Sequence, residues 1–344
     1  RHVDWVAYKE YQIRWAVARI ARMLRERGIA DVPIFHDVAY QYQTPLDLSR
    51  MEADPDINWV GMNLYRNQEG YRSGMHRMRF LAGATRLPFV PEFGCGLWSH
   101  HPQTTTSQEH ELITLGALAN GLKAFNLYML VERERWQGSP ITRHGTLRPD
   151  YAPFYRELTI FLSAYELWRW ERERNVLVLH NVDLDRFTAL ASTLHYAHVD
   201  LLALPSALFG VDLDLDFRWD PAIEGADDHP ANWLHTLLRR LDQQHIAYDV
   251  ADTHINAERL ARYAQVFVQA VDFMDAADQA RLVQYVEAGG HLLIGPGMPY
   301  LDPALQPCSV LAAYVHAPGS VKLGRGRITW IERPLTALDL DLVC

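Results

Sequence analysis

The stretch LPFVPEFGCGLW (Leu87–Trp98) decides how this chain is read. Five apolar or proline positions lead to one carboxylate, Glu92, and glycines and aromatics follow at once. An apolar run of this length bounded by turn residues predicts a buried β-strand. A carboxylate at the end of such a strand costs desolvation energy unless it is paired or used. Pro91 before it and Gly94 and Gly96 after it suit a backbone held in an unusual path as the loop turns. Two readings stand at this point. Glu92 is a catalyst, or it is a strand-end acid paired to a neighbouring arginine.

Working outward, the same unit recurs. Asp4–Arg27 has apolar residues (Trp5, Tyr8, Ile13, Ala16, Val17, Ile20, Leu24) at three- and four-residue steps and Gly28 where a C-terminal cap belongs, which predicts a helix. DVPIFHDV (Asp31–Val38) and INWVGMNLY (Ile57–Tyr65) read as strands, SGMHRMRFLAGAT as a helix, and SQEHELITLGALANG as a helix with Ser107 as N-cap. LKAFNLYML (Leu122–Leu130) is a fourth strand, and DYAPFYRELTIFLSAYELWRW is a long helix. Alternation of strand and helix at this spacing predicts parallel βα units, and four of them make half of an eight-stranded (β/α)8 TIM barrel.

Past residue 173 the character changes. RNVLVLHNV (Arg174–Val182) opens a second series, followed by an irregular stretch from about His195 to His229. Helix Pro230–Gln244, strand IAYDV, helix Ala257–Tyr263, strand AQVFVQAV, helix Asp275–Ala288 and strand GHLLIGP complete it. Residues 1–173 therefore read as the C-terminal half of a barrel, and 174–344 as a doubly wound α/β domain of flavodoxin-like or amidotransferase-like type.

Composition sets the outer limits. The 344 residues are 49% hydrophobic, enough for two cores, and the net charge of −9 argues against a nucleic-acid partner. Cys95, Cys308 and Cys344 are too few and scattered for a disulfide scaffold or zinc site, and they fit a reducing, cytoplasmic compartment. No run of about eighteen apolar residues calls for a membrane span. The sequence enters a helix almost at once without an initiator Met, which reads as a piece of a longer protein. No cofactor or metal is implied. The GPG at Gly295–Gly297 lacks the Lys-Ser/Thr of a phosphate loop, and HNVDLD (His180–Asp185) lacks the spacing of a calcium loop.

The remaining candidates cluster at strand ends, where barrel enzymes assemble their sites. His36 and Asp37 close the first strand, and either binds hydroxyls or caps the next helix. Asn63 and Tyr65 alternate on the second; Asn126 and Tyr128 alternate on the fourth. Tyr128 is a ligand-facing hydroxyl or a core aromatic. Trp98 and Trp136 lie in loops, where an indole supplies a platform for the C–H face of a sugar ring. Glu132 and Glu134 in VERER read as a solvated charge run without chemistry. The second series has no cysteine at the strand–helix elbow (VFVQAVDFMDAADQ), which favours an assembly role over an amidotransferase one.

These segments resemble the β-galactosidases of the barrel clan of retaining glycosidases, closest to glycoside hydrolase family 42 with similarity to family 35. VPEFGCGLW resembles the nucleophile stretch at the seventh barrel strand. GLKAFNLYML with WQGSPITRHGTLRPDY resembles the eighth strand and its loop, and residues from about 174, with YVEAGGHLLIGPG, resemble the trimerisation domain that follows the barrel. The resemblance implies Glu92 as the nucleophile that cleaves terminal β-D-galactosides by double displacement. It also implies His36, Asn63, Tyr65, Trp98, Tyr128 and Trp136 as sugar contacts, and a homo-trimer. It places the acid/base glutamate in an Asn-Glu pair upstream of residue 1, so that the chain alone is catalytically incompetent. A non-catalytic carbohydrate-binding or assembly protein, or a barrel-clan glycosidase of other specificity, remains the alternative.

Overall fold

The structure, a computed structural model, describes residues 2–38, 47–68, 70–98, 105–186 and 230–332. The irregular stretch expected over about 195–229 lies outside them, as does the side chain of Trp98. They form two compact units, one of residues 30–40 and 57–172, the other of residues 1–29, 41–56 and 173–344.

The first unit is built on a four-stranded sheet, β1 (Phe35–Val38), β2 (Trp59–Met62), β3 (Phe89–Gly94) and β5 (Ala124–Tyr128), in that order and parallel throughout. Helices α3 (Tyr71–Ala84) and α4 (Ser107–Ala119) cross between consecutive strands, the connection that parallel pairing requires. The N-cap of α4 is Thr106 rather than Ser107. Its hydroxyl accepts from Glu109 N while Glu109 reaches back to Thr106 N, a reciprocal capping box. A short antiparallel pair, β4 (Leu97–Trp98) with β6 (Trp136–Gln137), joins the loops beyond β3 and β5. Helix α5 (Ala152–Tyr165) ends the unit.

The second unit has a six-stranded sheet in the order β11–β12–β10–β9–β7–β8. The strands β7 (Val176–His180), β8 (Tyr248–Asp252), β9 (Gln265–Ala270) and β10 (His291–Pro296) are parallel, with apolar stretches such as VLVL buried throughout, as strands covered on both faces should be. α6 (Pro230–Gln243), α7 (Ala257–Leu260) and α8 (Ala276–Glu287) alternate with them. An edge hairpin, β11 (Gly319–Leu323) and β12 (Gly326–Trp330), was not anticipated; β12 joins β10 in parallel and β11 closes the edge antiparallel.

The first helix, α1 (His2–Glu26), and the short α2 (Leu48–Glu52) belong to this second unit. The stripe expected to be apolar and buried on α1 is not the buried one. Trp5, Tyr8 and Ile20 are exposed, and Val6, Glu10, Ala18 and Ala21 are covered instead. Glu10 is tolerated inside because Arg186 grips it with three hydrogen bonds of 2.8–3.2 Å. Among the described residues no helix is long and apolar enough to cross a membrane.

Candidate active site

Glu92 owes its presentation to a bulge in β3. Val90 pairs with Phe125 and Phe93 with Leu127, so Pro91 and Glu92 together stand opposite the single residue Asn126. Proline is tolerated there because the bulged position has no ladder bond to donate. The bulge sets the Glu92 side chain at the carboxyl edge of the sheet, where it meets Asn63 and Tyr65 from the loop that follows β2.

Two donors converge on one oxygen. Tyr65 OH donates to Glu92 Oε2 at 2.6 Å, and Asn63 Nδ2 donates to the same atom at 3.0 Å. Neither reaches Oε1. Burial, then the hydrogen bond to Glu92, push the Tyr65 phenol well above its ordinary value, so it stays protonated and remains a donor. Gly94 makes room for this tyrosine: a Cβ there would stand 2.5 Å from Tyr65 Cδ1. Gly96 serves a different purpose. Its φ of +72° and the closeness of Gln137 O, 2.6 Å from a Cβ placed there, both demand glycine.

The second amide hydrogen of Asn63 points at Asp37 Oδ2, 3.4 Å away. Asp37 thus belongs to the same cluster, its carboxyl raised first by burial and then by the charge of Glu92, against the lowering pull of Asn63. Asp37 Oδ1 and Asn63 Oδ1 are buried and accept no hydrogen bond. The cluster therefore offers surplus acceptors.

Behind it lies an aromatic group. Tyr65, Tyr128 and Trp136 meet pairwise edge to face with centroids 5.5–6.4 Å apart. Trp136 is only 4% exposed, and its indole N–H donates to Cys95 O at 2.7 Å. The indole expected as a sugar platform is packed here against Tyr65 and Tyr128, on a strand, β6, that pairs with β4. The peptide between Tyr128 and Met129 is cis; Cys95 N donates to Tyr128 O, and Met129 N donates back to Cys95 O.

Of the residues singled out by sequence, Asn63, Tyr65, Glu92, Tyr128 and Trp136 come together. His36 does not. Strand alternation puts it on the opposite face of β1 from Asp37, and burial lowers its imidazole below the ordinary range. Asp37 was weighed only as His36's companion, and the alternation was the signal that distinguishes them. Glu132 is no solvated charge: Arg148 binds it at 2.6 Å and Gly138 N donates to it at 2.9 Å, which ties down the loop carrying Trp136. Among the described residues no three or more His, Cys, Asp or Glu side chains are placed to hold a metal ion together.

Residues 224–327 match the family described as GLMA-like, second domain. An exo-β-D-glucosaminidase of Pyrococcus horikoshii is 39% identical over 80 residues, 23% of this chain and 10% of that protein. A β-1,2-glucosyltransferase of Ignavibacterium album is 26% identical over 231 residues, 65% of this chain and 31% of that protein. Among solved structures, a family GH42 β-galactosidase from G. stearothermophilus superposes with a TM-score of 0.70 at 12% identity, covering 99% of this chain and 56% of the other. The chain thus spans between a tenth and a little over half of these relatives' lengths. Its fold is similar to that of a GH42 β-galactosidase, and the GLMA-like match is confined to residues 224–327.

Proposed function

We propose that this chain carries the nucleophile of a retaining β-glycosidase, with Glu92 attacking the anomeric carbon. The observation that carries the reading is the bulge at Pro91–Glu92, which sets a carboxylate at the sheet's carboxyl edge with Tyr65 and Asn63 both on Oε2. The donors fix the carboxylate's plane and leave Oε1 for attack. The Oε1–C1 bond forms as the C1–O bond to the leaving group breaks; the departing oxygen takes a proton from a second carboxyl group, and water later reverses the step. No described residue is assigned that second role. Tyr128 and the Trp136 wall behind it hold Tyr65 in place. The barrel half around this site, and assembly of copies through the GLMA-like domain, are parts of the same proposal.

For the sugar, the resemblance of the fold favours a terminal β-D-galactoside. A second reading, a β-D-glucosaminide, is favoured by the surplus acceptors at Asp37 and Asn63, which suit a donor-rich ammonium substituent, and by the activity named for the Pyrococcus relative. Treating the complete protein with an activated 2-deoxy-2-fluoro-β-galactoside or an activated β-glucosaminide tests both. A covalent adduct on the peptide containing Glu92 is expected by mass spectrometry; a folded, turning-over protein whose adduct sits elsewhere would overturn the assignment. Asp37→Asn is expected to lower kcat/KM for the glucosaminide by about 10-fold or more relative to the galactoside if the second reading holds, since a charge-assisted hydrogen bond is at stake. An unchanged ratio excludes Asp37 as the selecting group.

A further inference from the structure

The carboxyl edge of a doubly wound sheet is where such domains ordinarily bind ligands. In the second unit this edge is filled by the chain's own ionisable side chains. Beyond β7 stand Asp183 and Arg186; β8 ends in Asp252 and is followed by His254; α8 contributes Asp278 and Arg281. Onto these, α1 brings Glu10, and α2 brings its N-cap Asp47 and Arg50.

The contacts form one connected set. Arg186 joins Glu10 at 2.8 Å, Asp183 at 3.2 Å and Asp47 at 3.8 Å. His254 Nδ1 meets Asp47 Oδ2 at 2.5 Å, and its Nε2 lies 3.5 Å from Asp278 and 3.3 Å from Arg50. Asp252 Oδ1 accepts from His254 N at 3.0 Å, Asp183 Oδ2 accepts from Asp275 N at 2.8 Å, and Arg281 bridges Asp278 to Thr253 O. The imidazole of His254 is 4% exposed, and its partners Asp47 and Asp278 are 5% and 2% exposed. Five carboxyl groups (Glu10, Asp47, Asp183, Asp252, Asp278) therefore face three guanidinium groups (Arg50, Arg186, Arg281) and one imidazole. The imidazole is the only one of the four cations that can lose its charge near neutral pH.

We propose that this cluster is a proton-dependent clasp: with His254 charged it holds α1 and α2 on the carboxyl edge of the six-stranded sheet, and loss of that proton loosens them. Removing the imidazolium takes away the one cation that lies between Asp47 and Asp278; Arg50 and Arg186 still face Asp47 and Arg281 still holds Asp278, but the two buried carboxylates then face each other across a neutral ring. The titration directions agree in sign. Despite desolvation, which lowers it, His254 is raised above 6.5 by Asp47, Asp278 and Asp252, so the stability it contributes is full below 6.5 and is lost as pH rises through the folded value. Burial raises Asp252 to about 6 and raises Glu10 and Asp183 as well, so their ionisation on raising pH also works against the clasp. Asp47 is held below 3.8 by His254 and Arg50 against its burial, and weakens the clasp only when pH falls through that lower range. The clasp is therefore tightest in mildly acidic solution.

Hydrogen exchange of the whole protein at pH 6 and pH 8, corrected for the intrinsic pH dependence, reads this directly. Protection of α1 amides is expected to fall severalfold as His254 loses its proton, while β9 and β10 keep theirs. His254→Gln should show low α1 protection at both pH values. Asp278→Asn, which leaves His254 with one fewer carboxylate, should shift the fall to lower pH and serves if the glutamine variant does not fold. Constant α1 protection between pH 6 and 8 in the wild type would overturn the proposal. So would a His254→Gln protein that retains the full fall, or a loosening spread evenly through the central strands.

Discussion

Replacing Glu92 with glutamine is expected to lower kcat by on the order of 10⁴-fold or more in the complete protein, with little change in thermal stability. The rate loss follows from the chemistry: an amide oxygen cannot form the covalent glycosyl ester, and removing a covalent nucleophile abolishes a whole step rather than weakening one contact. The small stability effect follows from the surroundings. Glutamine keeps an acceptor for Tyr65 OH and Asn63 Nδ2, at the strength of a neutral rather than a charge-assisted hydrogen bond, and removes the charge that raises Asp37. Steady-state kinetics on an activated aryl glycoside, beside a thermal melt, separate the two effects. A variant within about tenfold of wild type would mean that Glu92 is not the nucleophile. A variant that loses activity only because it melts would leave Glu92 as a structural acid. Tyr65→Phe makes a useful companion, because it removes one donor from Oε2 and leaves the carboxylate in place.

How far the sequence alone reached depends on whether a partner was local. The parallel units were legible because their strands are short apolar runs and their helices have caps within a few residues. The N-cap of α4 was not legible to the residue: Thr104 to Ser107 is a run of hydroxyl residues, and the reciprocal bonds with Glu109 select Thr106 over the expected Ser107. Glu92 stood out because a lone carboxylate between Pro91 and two glycines is costly in a strand. The bulge that aims it was not legible, because it exists only in the pairing with Asn126, more than thirty positions along the chain. The burial of Glu10 left no local mark for the same reason: Arg186, which makes it tolerable, is 176 positions away. The hairpin β11–β12 escaped because an edge element such as GSVKL, exposed at most of its positions, lacks the apolar run that marks the buried strands.

Trp136 is the most consequential of these differences, and it supports the second large expectation. Trp136→Ala is expected to destabilise the protein by about 3–5 kcal/mol, the cost of truncating a fully packed aromatic to alanine. The ring is 4% exposed, touches Tyr65 and Tyr128, and donates its indole N–H to Cys95 O, so truncation opens a cavity and leaves that carbonyl with Met129 N as its remaining donor. Trp136→Phe should recover much of the packing but not the hydrogen bond, and is expected to cost less than the alanine variant. Chemical denaturation of the three proteins reads the difference as a shift in midpoint. The same pair of variants separates support from sugar stacking. If Trp136 acts from behind, Trp136→Phe should lower kcat through a less well-held Tyr65 while leaving KM nearly unchanged, because a buried ring has almost no face to offer a ligand. A KM that rises strongly with intact stability would instead place the indole against the sugar, and the closed β4–β6 loop would then have to open for substrate to reach it.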